Sequence, residues 1–283
     1  MGKLKVLITG AEGQVGRELV SVFENRGCEV YAYGRSDLDI TNGERVSETV
    51  NRIKPDAIVH SAAYTKVDQA EADPDQAFLI NGTGTKNVVL AAEAVGSKFV
   101  YISTDYVFDG KGIKPYNEQH PVNPVSVYGK SKLAGEQVVR SLHSRYFIVR
   151  TSWVYGQYGH NFVKTMLKLA EDKYSVSVVA DQIGSPTYAV DLAECISRIV
   201  QSSQYGIYHV SNSGSCSWYE FAKAIYEEAG ISLTLQPVDS DAFPRLAKRP
   251  NYSVMDHNNL ISNGFGEMRN WREALAEFIK QQS

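Results

Sequence analysis

Strand-like and helix-like segments alternate along about the first half of the chain. This alternation restricts the fold more than any other feature. KVLITG (5–10) is a short, β-branched apolar run that stops at a glycine, the pattern of a buried strand. VGRELVSVFENRG (15–27) carries apolar residues at helical spacing and ends at Gly27. CEVYAYG (28–34) predicts a second strand, NGERVSETVNRIK (42–54) a second helix and PDAIVHSAA (55–63) a third strand. A long helix is expected over 73–96, a strand over KFVYIST (98–104), a helix through SVYGKSKLAGE (126–136) and a last strand over YFIVRTSWVYG (146–156). Such alternation predicts an α/β fold, a doubly wound parallel sheet of Rossmann type with right-handed crossovers. After residue 156 the pattern loosens. NFVKTMLKLAED (161–172) and SWYEFAKAIYEEAG (217–230) look helical, and DSDAFPRLAKRPNYS (239–253) is a loop rich in proline and charge. The expected division is a mainly NAD(P)-binding core over 1–156 and a smaller, mainly substrate-binding lobe over 157–283, with some segments of the lobe returning to the core.

The 283 residues suffice for one large α/β body or two lobes sharing a core. Apolar residues make up 43% and charged residues 22%, so an ordinary core can form. A net charge of −3, with no basic run interleaved with aromatics, argues against nucleic-acid and anionic-membrane partners. Cys28, Cys195 and Cys216 are odd in number and far apart, which suits neither a disulfide framework nor a zinc site. The apolar run in MGKLKVLITG is too short to span a membrane and lacks a cleavage pattern, so the cytoplasm is the expected compartment.

GAEGQVG places Gly10, Gly13 and Gly16 directly after a strand and at the opening of a helix. The first permits a tight turn, the second lets a phosphate approach the backbone, and the third lets helix and strand pack closely. The helix N-terminus then offers free N–H groups to a pyrophosphate. The spacing is G-x-x-G-x-x-G, and the strand–turn–helix context is what points to a dinucleotide. The second strand ends at Arg35, where an acid often binds the adenosine ribose. An arginine there can receive a 2′-phosphate, which favours NADP(H), with NAD(H) as the alternative. Asp39 and Ile40 follow and could lie against the adenine.

Tyr128 and Lys132 stand four residues apart on one predicted helix, so both face one point. A phenol ordinarily titrates near pH 10. A neighbouring ammonium and an oxidised nicotinamide ring are expected to lower that value and make the phenol a usable acid. Ser103, Thr104 and Asp105 fall at the carboxyl end of a predicted strand, where open α/β sheets build their sites. A hydroxyl there can bond a substrate carbonyl oxygen. His60 reads as part of a packed strand end and is given no role.

TGAEGQVG, STDYVFDG and YGKSKLAGE together resemble the extended short-chain dehydrogenase/reductase superfamily, which acts largely on nucleotide sugars. Within it, GQVG, AAYTKVDQAE, STDYVFDG, VYGKSKLAGE, RTSWVYG, NFVKTML, DQIGSPT and KRPNYS occur in an order that resembles the dTDP-4-dehydrorhamnose reductases over nearly the whole chain. The resemblance implies reduction of a dTDP-sugar 4-ketone by NAD(P)H, with Tyr128 as general acid to O4 and Lys132 tuning it while holding the nicotinamide ribose. It implies that Thr104 polarises the C4 keto group and that Asp105 and Trp153 contact the substrate. Gly13, Gln14 and Val15 would line the pyrophosphate turn, Asp39 and Ile40 the adenosine, and Ala63, Tyr64 and Thr65 the cofactor beyond the third strand. Asn161, Arg245 and Arg249 could bind the nucleotide or its diphosphate, Arg249 equally a surface ion pair. Some members hold Mg²⁺ at a dimer interface of glutamates. Glu18 matches one such position, but the later one is Val190 beside Asp191. Ketone reduction needs no metal, and no metal is expected; the sequence leaves the oligomeric state open, with a homodimer as one option. The rival readings are a nucleotide-sugar 4-epimerase or dehydratase, and a non-catalytic subunit like the regulatory subunit of methionine adenosyltransferase.

Overall fold

The computed structural model describes residues 2–282. The expected alternation is present: β1 (Lys5–Thr9), α1 (Gln14–Asn25), β2 (Glu29–Tyr33), α2 (Gly43–Ile53) and β3 (Ala57–His60). Next come α3 (Val67–Ala72), α4 (Pro74–Phe78), α5 (Thr85–Val95), β4 (Lys98–Thr104), α6 (Val127–Leu142) and β5 (Tyr146–Thr151). The predicted helix over 73–96 is α4 and α5 joined by a π-helical segment, Leu79–Gly84. The predicted strand over 146–156 is shorter than expected. It stops at Thr151, and Trp153 turns the chain with φ of 47°, a conformation no strand can continue. Val154–Tyr155 then forms β6, in a different sheet.

The second half contributes α7 (Phe162–Asp172), β7 (Ser175–Val179), β8 (Ile183–Gly184), β9 (Thr187–Tyr188), α8 (Ala189–Ile199) and β10 (Gly206–His209). It ends with β11 (Cys216–Ser217), α9 (Trp218–Glu228), β12 (Thr234–Val238), α10 (Asn258–Ser262) and α11 (Trp271–Gln282). The main sheet runs β2-β1-β3-β4-β5-β10, every pair parallel.

Period-2 alternation explains why helices cover both faces of this sheet. Val6, Ile8, Val59, Val100, Phe147 and Val149 face one cluster, with Leu19 and Phe23 of α1 and Leu192 and Ile196 of α8. Leu7, Ile58, Phe99, Tyr101 and Ile148 face the other, with Val46 and Val50 of α2, Val88 and Val89 of α5 and Val139 of α6. Each fully buried side chain of this kind contributes about 1.5–3 kcal/mol. Thus α8 and β10, from beyond residue 156, belong to the core. A third cluster joins α7, α9, α11 and β7 around Phe221, Ile225 and Phe278.

Strand order reverses between β1 and β3, which splays the loops that follow them. In open α/β sheets the crevice so formed, at the carboxyl ends of the strands, receives ligands. Thr9, Tyr33, His60 and Thr104 end the strands that face it.

Candidate active site

The glycine turn fits a pyrophosphate. Gly10 has φ of 66°, and a Cβ on Gly16 would lie 2.1 Å from the Gly10 carbonyl oxygen, so only glycine lets α1 start this close to β1. Gly13 caps α1 with no side-chain hydrogen bond, leaving the first-turn N–H groups at Gln14 and Val15 for a ligand. The Gln14 side chain points elsewhere. Its amide donates to the Val154 carbonyl at 3.0 Å and its oxygen accepts from Asn161 at 3.0 Å, which ties the turn to the lobe. Asn161, weighed above for the nucleotide, is therefore a bridge: it also donates to the Gly156 carbonyl and accepts from the Lys164 amide at the start of α7.

Arg35 is exposed just beyond β2. Asp39 accepts from the amide and hydroxyl of Thr41, and these bonds hold its carboxyl below the usual range. Ile40 is buried, its Cδ1 packed against Gly84, so its side chain serves the core. Ala63, Tyr64 and Thr65 follow β3 in the crevice. Both backbone polar groups of Tyr64 are held by Asn81, which accepts from the amide at 2.8 Å and donates to the carbonyl at 3.1 Å.

Thr104 ends β4, and α6 brings Tyr128 next to it and Lys132 over the Tyr101 ring. Ser126 starts α6 by accepting from the Gly129 amide at 3.1 Å, and Glu71 of α3 accepts from the Val127 amide at 2.8 Å. These caps set the helix end that carries Tyr128. The Thr104 hydroxyl donates to Asp105 Oδ1 at 3.0 Å and lies near enough to the Tyr128 phenol to favour its charged form. The chain's own groups act against the lowering expected of the phenol. Burial pushes Tyr128 up to about 12, the Asp105 charge adds to the rise, and the Thr104 bond opposes it. Lys132 is 2% exposed, with Nζ 4.1 Å from the Tyr101 ring centroid. Burial lowers its ammonium to about 7, against the pull of Glu136. Asp105 is raised to about 6 by burial, opposed by the nearby Ser253 and Thr104 hydroxyls, and its Oδ2 is buried without a hydrogen-bond partner. His60, as expected, is structural. Its ring nitrogens bond Thr9 at 2.7 Å and Thr85 at 3.2 Å, and burial lowers it to about 3.

Asn81, Glu136, Arg150, Trp218 and Asp68 support the site and were not singled out in the sequence. Asn81 of the π-helical segment donates to Ser131 Oγ at 2.9 Å, linking the Tyr64 loop to α6. Glu136 and Arg150, 1% and 2% exposed, form a two-pronged ion pair of 2.9 and 2.7 Å beneath Lys132. Ser103 donates to the same carboxylate at 2.6 Å. On the lobe side, Trp153 stacks on Trp218 with centroids 3.5 Å apart. Arg249 pairs with Asp68 at 2.8 Å while its Nη1 stays buried without a partner, and Arg245 is exposed.

At the positions the sequence raised for a metal, Glu18 is buried and raised by burial, its Oε1 without a hydrogen-bond partner, and Asp191 is committed to Arg269 at 2.8 Å and Asn212 at 2.7 Å. Among the described residues, Glu118, His209 and Asp256 cluster with ligand atoms within 4.8 Å of one another. The Arg150 guanidinium faces His209 Nε2 at 3.4 Å, and His209 Nδ1 bonds the Asp256 carbonyl. A cation already faces the imidazole edge that a metal would need.

The family model described as the RmlD substrate binding domain matches residues 4–283. The spore coat polysaccharide biosynthesis protein SpsK of Bacillus subtilis is 48% identical over 279 residues, covering 99% of this chain and 98% of its own. The dTDP-4-dehydrorhamnose reductase of Streptomyces griseus is 41% identical, covering 96% and 91%. A crystal structure of dTDP-4-dehydrorhamnose reductase from Bacillus anthracis in complex with NADP superposes with a TM-score of 0.97 at 50% identity, covering 99% of this chain and all of that one.

Proposed function

The chain belongs to the RmlD substrate binding domain family, and from that premise we propose that it reduces the C4 ketone of dTDP-4-dehydro-β-L-rhamnose with NADPH or NADH. The product is dTDP-β-L-rhamnose, a sugar donor for cell-surface polysaccharide. The observation that carries this reading is the placing of Tyr128, half-buried, next to the buried Thr104 at the end of β4 and one helical turn before the buried Lys132, on a fold whose first helix opens at an uncapped glycine turn.

Gly10, Gly13, Gln14 and Val15 would hold the pyrophosphate through backbone groups, Arg35 and Asp39 the adenosine end with Ile40 behind them in the core, and Ala63, Tyr64 and Thr65 the nicotinamide side. Bound there, the cofactor supplies the hydride that reaches C4. Tyr128 gives its phenolic proton to O4, and the Thr104 hydroxyl bonds the same oxygen as charge develops on it. Lys132 offers positive charge near the phenolate that remains and bonds the nicotinamide ribose. Asp105 orients the sugar, with Trp153 against its ring. Burial excludes water, so these contacts act in a medium where each is stronger.

In this reading residues 1–156 mainly serve the cofactor and 157–283 mainly the sugar nucleotide, with α8 and β10 returning to the core. No helix among the described residues is long and apolar enough to cross a membrane, and we place the enzyme in the cytoplasm, working as a homodimer. The test is incubation with dTDP-4-dehydro-L-rhamnose and NADPH, with the product identified by NMR. Equimolar NADPH oxidation and dTDP-L-rhamnose are expected. An isomerised 4-keto sugar or epimer without net NADPH loss would replace this reading with the epimerase.

A further inference from the structure

The second strand ends without the acid that commonly binds an adenosine ribose, yet a carboxylate reaches that place from another element. Glu12 stands in the glycine turn, one residue before Gly13. Its side chain lies on the α-carbon of Gly34, the residue just past β2. A Cβ on Gly34 would sit 2.4 Å from Glu12 Cδ and 2.5 Å from Oε2, so Gly34 is what makes room for it. The Ala11 amide donates to the Tyr33 carbonyl at 3.0 Å and fixes the turn against the strand end. The Glu12 side chain is exposed, and among the described residues its carboxylate has no hydrogen-bond or ion-pair partner. Beside it runs a surface groove of about 370 Å³ whose charged lining is Glu12, Glu24, Asp37 and Arg17. Asp37 accepts from the Gly34 amide at 3.0 Å, and Arg17 donates to the Glu12 carbonyl at 3.1 Å. Three carboxylates against one guanidinium make the groove acidic. Arg35 stands next to Gly34 as the cation of opposite tendency.

We propose that Glu12 is a cofactor-specificity residue. Its carboxylate replaces the missing strand acid, accepting a hydrogen bond from the adenosine 2′-hydroxyl of NAD(H) and repelling the 2′-phosphate of NADP(H). Arg35 acts the other way, and the two together set the balance between the cofactors. This rests on the reading that the dinucleotide binds at the glycine turn. A carboxylate is an acceptor only, so it suits a hydroxyl and not a phosphate. At hydrogen-bond range in a wet groove, removing one like charge changes an equilibrium by about five- to tenfold.

The test measures dissociation constants of NADP⁺ and NAD⁺, and of 2′,5′-ADP and 5′-ADP as adenosine-end probes, by calorimetry. Wild type, Glu12→Gln and Arg35→Ala are compared, with the NADPH:NADH ratio of kcat/KM as a second readout. Glu12→Gln is expected to shift the NADP⁺:NAD⁺ affinity ratio about five- to tenfold toward NADP⁺, with 2′,5′-ADP following, and Arg35→Ala to shift it the opposite way. An unchanged ratio in Glu12→Gln, or equal weakening of both nucleotides, overturns the role of Glu12 while leaving the site in place. Failure of wild type to bind any of the four nucleotides overturns the site and the proposal together.

Discussion

The Glu136–Arg150 pair lies under the reacting groups, and Glu136→Gln separates its two consequences. The pair is almost fully buried, with bonds of 2.9 and 2.7 Å and a third from Ser103 at 2.6 Å. Neutralising one partner leaves the Arg150 charge in a low-dielectric interior, which costs about 3–5 kcal/mol. That is a large part of the roughly 5–15 kcal/mol a folded chain has in total. At about 2–4 °C per kcal/mol for a domain of this size, the melting temperature should fall by about 6–20 °C. The second consequence is electrostatic. Burial already lowers Lys132 to about 7, and Glu136 is the group holding it up. Without that charge the lysine loses its proton at still lower pH. The limb of the kcat profile that reports Lys132 should therefore move toward acid. Differential scanning calorimetry and a pH–rate series on the same preparation read both effects. Glu136→Leu combined with Arg150→Met should recover most of the melting temperature, because no orphaned charge remains, and should not recover the pH limb. A single Glu136→Gln variant melting within about 2 °C of wild type would refute the reasoning, since it would mean that Arg150 finds water or another partner.

Two further outcomes follow from the site. Asp105 is raised to about 6 in the fold, against about 4 unfolded, so its contribution to stability is full below about pH 4 and is lost as pH rises through about 6. Urea denaturation of Asp105→Asn, which cannot ionise, should therefore show a gain over wild type that is larger at about pH 8 than at about pH 4 by about 3 kcal/mol; equal differences at both would contradict the burial argument. Gly16→Ala places a methyl 2.1 Å from the Gly10 carbonyl and 2.8 Å from Ala11 Cα. With backbone on both sides nothing cheap can move, so this variant should lose about 1–3 kcal/mol and bind NADP⁺ at least about tenfold more weakly. Calorimetry showing wild-type affinity would remove the close approach from the account.

The order of the first five core strands was legible because each is a short apolar run between helices of clear period. Tyr128 and Lys132 were legible because four residues on a helix fix a common face. What escaped depends on contacts far apart in sequence. β10 is only four residues, Gly206–His209, and α8 starts at Ala189 with no side-chain cap to announce it. Nothing near Trp153 signals the stacking on Trp218 that accompanies its positive φ and the early end of the 146–156 run. The Glu71 bond to Val127 spans 56 residues and the Asn81 bond to Ser131 spans 50, so neither leaves a local pattern. The rise of Tyr128 escaped for a related reason. Helical spacing puts Lys132 on the same face, but the burial that raises Tyr128 and lowers Lys132 to about 7 is a property of the whole fold.

The central claim is that Tyr128 gives the proton that completes reduction at C4. The most direct measurement is turnover of dTDP-4-dehydro-L-rhamnose by Tyr128→Phe beside wild type, with NADPH affinity measured on both. The account predicts a fall in kcat of about 10²–10⁴, the usual worth of a positioned general acid, with NADPH still bound as in wild type. Near-normal turnover by Tyr128→Phe would contradict it and assign the proton to another group.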